Sequence, residues 1–216
     1  MYVIIIRPRM TMTTAAQTVP RTQSDRRTKT RKALLDATIE VLLNRGFDGC
    51  SLANVAKYAG LTTGSVQHHF KTKSQMMLAV IEERLFETSD DQALELKANE
   101  NIEDRCKLLV ETQWQYYSDP KYLAIWSIIL GGRSDPEMIG KIGEWQKNAI
   151  ARHERAIKQL FADHKLRPSQ VKAMQYFVNA QLRGLALLQT VEPDQANIKC
   201  QLSMLVDMLK LQVSEA

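Results

Sequence analysis

Between Ser51 and Phe70 the chain reads Ser-Leu-Ala-Asn-Val-Ala-Lys-Tyr-Ala-Gly-Leu-Thr-Thr-Gly-Ser-Val-Gln-His-His-Phe, and this order of small, apolar and polar positions leaves little freedom in how it can fold. Leu52, Val55, Ala56 and Ala59 recur at i, i+3, i+4 and i+7, which predicts one buried face of a helix over roughly Leu52 to Ala59. Ala56 is small enough to admit a second helix at close range. Gly60 tolerates the left-handed backbone that stops a helix abruptly. Leu61 is placed to plug the corner, and Thr62 or Thr63 can cap the next helix through a hydroxyl. Val66 and Phe70 give that second helix its inner face, which leaves Thr63, Gly64, Ser65, Gln67, His68 and His69 outward. Two helices crossing at a tight turn form a helix-turn-helix, and short polar groups on its outer face suit base edges and phosphates in a major groove.

Together with the preceding Arg31-Lys-Ala-Leu-Leu-Asp-Ala-Thr-Ile-Glu-Val-Leu-Leu-Asn-Arg-Gly-Phe47 and the following Phe70-Lys-Thr-Lys-Ser-Gln-Met-Met-Leu78, the segment resembles the N-terminal domain of the TetR family of transcriptional regulators. The resemblance covers about a quarter of the chain. It implies a DNA-binding head joined to a divergent helical body that binds a small molecule and dimerises, usually in a repressor released from DNA by its ligand. Position by position, it puts Thr62, Thr63, Ser65, Gln67, His68 and His69 on the recognition helix and Lys73 at the phosphate-contacting start of the fourth helix. Gln67 stands where the family usually has a tyrosine that touches the DNA backbone; a glutamine still donates to phosphate or reads adenine.

The charge distribution agrees with a DNA-binding head. Residues 21–73 carry ten Lys and Arg against four Asp and Glu, whereas residues 74–216 carry seventeen against twenty. A basic region of this kind is the footprint a phosphate backbone requires, although a merely solvated charge run over Arg21 to Lys32 has the same composition. Arg31 and its basic neighbours oppose the dipole at the start of the first helix, an arrangement that makes more sense with a phosphate nearby.

Regular apolar spacing, six prolines and nine glycines in 216 residues predict an all-α fold. The expected organisation is a flexible basic arm over 1–24, a helix-turn-helix domain over 25–73 and a helical effector-binding and dimerisation body over 74–216. If the arm is real, its Arg21, Arg26 and Arg27 can reach a minor groove or flanking phosphates. The first helix is expected from about Thr28 to Arg45, burying Leu34, Thr38, Val41 and Leu42, with a stop at Gly46 and Phe47 in the head's core. A fourth helix starts near Thr72 or Ser74 and continues through Leu85 and Phe86 to about Lys97. Further helices are expected over about 102–117, from Asp119-Pro120 to Gly131-Gly132, from Asp135-Pro136 to His164, from Pro168 to Val191 and from Pro193 to Val213.

The last two helices are apolar on more than one face. That pattern fits a four-helix interface with the same pair from a second subunit, formed by Val178, Leu182, Leu185, Leu202, Leu205 and Leu209, and it also fits an intramolecular hairpin. Aromatic residues collect in the body, and the resemblance implies an effector pocket bounded by Trp114, Tyr117, Trp126, Trp145 and Gln181, with Tyr176 in the same aromatic set. Polar candidates beside them are Arg133, Glu144, His153 and Arg183. The effector expected from such a lining is small and mostly hydrophobic, aromatic or cationic.

Cys50, Cys106 and Cys200 are odd in number and widely spaced, which fits a reduced cytoplasmic setting, and they read as ordinary small apolar residues; if one of them senses redox, it is Cys50 beside the helix-turn-helix. Val3-Ile-Ile-Ile6 is too short for a membrane span. No Gly-rich phosphate loop, Gly-x-Ser-x-Gly elbow or His-Glu-x-x-His motif points to an enzyme, a cofactor or a metal, and His68 and His69, about 100° apart on a helix, do not face one ion. The reading that follows is a homodimeric, ligand-responsive regulator on a pseudo-palindromic operator. A DNA-binding architectural or partner-recruiting protein without an inducer is the alternative.

Overall fold

The computed structural model describes residues 23–87 and 101–215. The arm, with Arg21 and Val3-Ile-Ile-Ile6, and the expected continuation of the fourth helix to Lys97 lie outside the described residues, as do the side chains of Leu85 and Phe86. Among the described residues the protein is all-α, with helices α1 (Gln23–Gly49), α2 (Leu52–Tyr58), α3 (Thr63–His69), α4 (Lys73–Glu87), α5 (Ile102–Tyr117), α6 (Lys121–Gly131), α7 (Pro136–Leu160), α8 (Pro168–Leu188) and α9 (Gln195–Ser214).

α1 begins at Gln23, five residues before the expected start, so Arg26 and Arg27 sit on helix rather than on an arm. Gly46 interrupts it with φ 65°, the left-handed geometry that a glycine adopts at little cost. The head closes over Leu34, Val41 and Leu42 of α1, Val55 and Ala56 of α2, Val66 of α3, Phe70, and Met76 and Met77 of α4, all buried. Its one buried hydroxyl is satisfied, since Thr38 Oγ1 donates to the Leu34 carbonyl at 2.7 Å.

The turn between α2 and α3 is a Schellman motif. Leu61 N–H donates to Ala56 O at 2.9 Å and Gly60 N–H to Lys57 O at 3.3 Å, around Gly60 at φ 66°, which satisfies carbonyls that the end of α2 would otherwise leave open. Leu61 does not plug the corner: it is exposed, because the backbone bonds close the turn without it. Thr62 caps α3, accepting from Ser65 N at 3.2 Å; Ser51 caps α2 in the same way, accepting from Asn54 N at 3.1 Å.

The body is built by α5 against α8 and α9, and by α7 against α8. α4 and α1 reach into it through α7 and α6. Asp135 caps α7, accepting from Glu137 N and Met138 N at 3.1 Å each, and Asp194 caps α9, one residue after the expected Pro193. α7 stops at Leu160 rather than His164, where Arg105 of α5 donates to the Leu160 carbonyl at 3.0 Å and pairs with Asp163 through both guanidinium nitrogens at 2.6 and 3.0 Å. An arginine that takes up a last-turn carbonyl ends the helix there.

Candidate functional site

α3 is placed so that its inner residues disappear and its outer ones stand free. Val66 and Phe70 are 0% and 2% exposed. Thr62, Thr63, Gly64, Gln67 and His68 are exposed, while Ser65 and His69 are half-buried at the edge of the face. The His69 imidazole is held below its ordinary value first by partial burial, then by the positive charge of His68, Arg27 and Arg31. The N-terminal part of α1 therefore lies beside the end of α3, and the cations that seemed remote in sequence share one surface with the recognition residues. Arg31 is half-buried with its guanidinium 4.9 Å from the Phe70 ring centroid, a stacking that fixes its direction.

Lys73 departs from the expected phosphate anchor. Its ammonium donates to the Phe47 carbonyl at 2.5 Å and sits 4.0 Å from the Phe47 ring centroid. Just past the kink at Gly46 that carbonyl already accepts the Cys50 N–H at 3.1 Å, and the lysine at the start of α4 is its second donor. Phe47 itself is partly buried and leaves the head's core for the body. A Cβ added to Gly131 of α6 would fall 2.1 Å from Phe47 Cγ, so the ring lies against bare backbone. Alongside, Ser74 of α4 donates to Asp135 Oδ2 at 3.0 Å, joining the first turn of α4 to the cap of α7. The Phe47 ring and this hydrogen bond thus add to the packing of α1 on α6 and of α4 on α7 that fastens the head to the body.

In the body the structure gathers part of the expected effector set. Tyr117 is buried, and its ring centroid lies 5.2 Å from that of Tyr116 and 4.8 Å from that of Tyr122, with Trp126 6.4 Å beyond Tyr122. Trp114 and Trp145 are half-buried and have no ring contact with this cluster among the described residues. Tyr176 and Gln181 are corrected: both are exposed on the outer side of α8, about 100° or more around the helix from its buried centre near Leu182. Arg133 is also exposed, donating to Leu130 O at 2.7 Å at the end of α6.

Three residues that periodicity alone did not single out as a set lie on the inner side of α8. Gln175, Asn179 and Arg183 follow one another at four-residue spacing along a stripe beside the apolar one of Val171, Val178 and Leu182. Gln175 is 0% exposed and neither of its amide atoms has a hydrogen-bond partner. Asn179 accepts from the Tyr117 hydroxyl at 3.1 Å. The Arg183 guanidinium lies 5.7 Å from the Tyr117 ring centroid, and its Nε is buried without a partner. Gln113 Oε1 of α5 is buried in the same condition. Burial pushes the Tyr117 and Tyr122 hydroxyls above their ordinary values, so both are neutral near pH 7. His153 of α7 is held below its ordinary value by burial first, then by Arg152 and Arg183. The signal in the sequence was the polar i, i+4, i+8 repeat inside a helix otherwise read for its apolar residues.

The expected dimer residues divide. Val178, Leu182, Leu205 and Leu209 are 0–3% exposed within the single chain, so they belong to the protomer's own hairpin core; Leu185 and Leu202 are half-buried. The exposed apolar residues are elsewhere, at Tyr176, Leu187 and Leu188 of α8, at Val191 in the turn that follows, and at Met204, Met208 and Leu211 of α9. Cys50 sits as a small apolar residue: it is fully buried, its Sγ faces Thr38 O at 3.8 Å, and burial pushes its thiol up to about 11, which works against redox sensing.

Residues 34–80 match the family described as bacterial regulatory proteins, tetR family. The DNA-binding head is thus similar to that of the TetR family. Among relatives of the chain, the HTH-type transcriptional regulator CymR of Pseudomonas putida is 27% identical over 121 residues, 55% of this chain and 58% of that protein, and PksA of Bacillus subtilis is 35% identical over 69 residues, 31% and 34%. The chain thus spans from a third to somewhat over half of the length of these relatives. The fold extends further: FadR from Bacillus subtilis, solved in complex with stearoyl-CoA, superposes with a TM-score of 0.62 at 16% identity, covering 86% of this chain and 98% of that one. A regulator from Saccharomonospora viridis solved in complex with choline gives 0.62 at 15% identity, covering 87% and 95%. The relatives are described as transcriptional regulators, not as enzymes.

Proposed function

We propose that this chain is a ligand-responsive transcriptional regulator, most simply a repressor, that binds a pseudo-palindromic operator as a homodimer. The observation that carries the reading is the exposed polar face of α3 seated on a closed core, with Arg27 and Arg31 beside it. Gln67 and His68 read base edges, Thr63 and Ser65 approach the backbone, and the α1 cations take phosphates. Residues 25–73 serve as the reading head and 74–216 as the sensing and pairing body. No described helix is long and apolar enough to cross a membrane, and a cytoplasmic place of action follows from a DNA target.

A second copy of the chain covers the exposed apolar face of α8 and α9. Met204, Met208 and Leu211 recur at i, i+4 and i+7 and are each about half exposed or more, a continuous stripe that water penalises in a lone protomer. Two heads held by such a four-helix interface enter successive major grooves about one helical turn apart. A small effector in the body displaces the α6–α7 corner, and through the Phe47 and Ser74 contacts it moves α4 and the head. A hundredfold preference of that effector for the DNA-incompetent form corresponds to about 2.7 kcal/mol.

Fluorescence anisotropy of the purified protein against its own upstream intergenic DNA and a shuffled control, over several salt concentrations, tests the reading. Two protomers bound per native fragment, with clear preference over the control, are expected. Equal binding to both, governed only by salt, would replace the operator by sequence-tolerant architectural binding.

A further inference from the structure

We infer that the body recognises an organic anion, a small carboxylic acid with an apolar remainder, whose carboxylate is received by Arg183. The inference rests on the proposal that the body binds an effector, and it reverses the sign of the aromatic or cationic ligand that composition suggested. Arg183, on the inner stripe of α8, has no carboxylate partner among the described residues, and its Nε is buried without an acceptor. Its neighbours are Tyr116, Tyr122 and Tyr117, whose hydroxyl it faces within hydrogen-bonding reach, with His153 on α7. Burial keeps the Tyr117 and Tyr122 phenols neutral and holds His153 against protonation, so among these described neighbours no group supplies negative charge.

A half-buried guanidinium whose Nε is shut off from water is stable with an anion and costly without one. One guanidinium among neutral donors matches a single negative charge, and its planar fork accepts a carboxylate in two parallel hydrogen bonds. Gln175, two turns before Arg183, is independent evidence that the stripe faces a ligand: it is 0% exposed with both amide atoms unpartnered. Eight residues of helix place it about 12 Å from Arg183 along the axis. A ligand of medium length thus has its charged end at Arg183, passes the Tyr117, Tyr122 and Trp126 rings, and offers a polar group or a bound water to Gln175 at its far end. The tyrosine cluster alone would also suit a quaternary ammonium, but a fixed guanidinium 5.7 Å from the Tyr117 ring works against any cation there. The related folds leave the choice open, since one neighbour was solved with an acyl thioester and another with choline.

Isothermal titration of the full chain with octanoate, 4-phenylbutyrate, octyl phosphate, octanamide and octyltrimethylammonium tests the inference. The two carboxylates are expected to bind at least tenfold more tightly than the other three probes. Arg183→Gln is expected to lose at least tenfold for the carboxylates and nothing for octanamide, with Arg183→Lys in between. Asn179→Asp, which keeps the guanidinium and gives it an internal counter-ion one turn away, is expected to weaken carboxylate binding by a similar factor without depending on the folding of the first variant. The inference is overturned if no carboxylate binds, if the amide or the ammonium binds as well, if octyl phosphate binds better, or if both variants bind as the parent does. Operator anisotropy separates this outcome from the parent reading: carboxylate binding that leaves DNA bound keeps the anion site and sinks the effector role, whereas release by the ammonium alone does the reverse.

Discussion

The head and the body differ in how they treat buried polar atoms. In the head, Thr38 and Cys50 both point at backbone oxygens, and the Lys73 ammonium has the Phe47 carbonyl. In the body, Gln113, Gln175, Trp126, Arg105 and Arg183 each carry a buried nitrogen or oxygen without a partner, and among the described residues all such atoms lie there. A module whose task is to present a rigid surface gains from closing every internal bond. One whose task is to admit a ligand must leave some open until the ligand arrives, and it forgoes stability for that reason.

The largest expected effect breaks the closed side of this contrast. Phe70→Ala empties a 2%-exposed site under α3 and should cost about 3–5 kcal/mol, read as a lower denaturation midpoint together with loss of operator binding. Unchanged stability would mean that the head does not fold around this ring. Next comes the junction: Gly131→Ala sets a Cβ 2.1 Å from Phe47 Cγ, and the displaced ring should cost about 1–3 kcal/mol. DNA affinity in this variant should fall even at temperatures where circular dichroism reports a folded protein, because the ring that must move joins head to body. Retained affinity would show that the two regions are not fastened there.

The open side responds with the opposite sign. Gln175→Leu replaces two unsatisfied buried polar atoms by an apolar group of similar size, which should raise stability by about 1–2 kcal/mol while weakening carboxylate binding. A destabilised variant would indicate that Gln175 already has a partner, such as an ordered water, in the free protein.

How far the sequence reaches follows the same division. The α2–α3 segment was legible because each position has a local reason: Gly60 for its positive φ, Thr62 for the cap, Val66 and Phe70 for the inner face. Pro136 and Pro168 marked helix starts for equally local reasons. The body was legible as helices but not as a site. Tyr176 and Gln181 looked like lining because they are aromatic and polar on the right helix, yet the face that turns inward is set by packing against α5 and α7, which no spacing within α8 reveals. The same information was missing for Val178 and Leu182, whose apolarity serves the protomer's own core, and for Phe47, which a glycine 84 residues later draws out of the head. End points set by distant groups were likewise hidden, as where Arg105 stops α7.

The smallest expected effect compares the two regions by one probe. His69 in the head and His153 in the body are both held below their ordinary value of 6.5, by burial first and then by cations: His68, Arg27 and Arg31 for the former, Arg152 and Arg183 for the latter. A histidine depressed in the folded state leaves the unfolded chain binding protons more readily, so its contribution is intact above about pH 6.5 and is lost as pH falls below it. An anion that neutralises the neighbouring cations must move the imidazole back up. In proton NMR titrations, operator DNA is therefore expected to raise the His69 midpoint and leave His153 in place, and octanoate to do the converse. Arg183→Gln should raise His153 by itself, since it removes one of the two cations that depress it. A His153 midpoint that ignores both octanoate and Arg183→Gln would separate the histidine from the guanidinium and reduce the body's polar cluster to the α8 stripe, whereas a His69 that ignores DNA would move the phosphates away from Arg27 and Arg31.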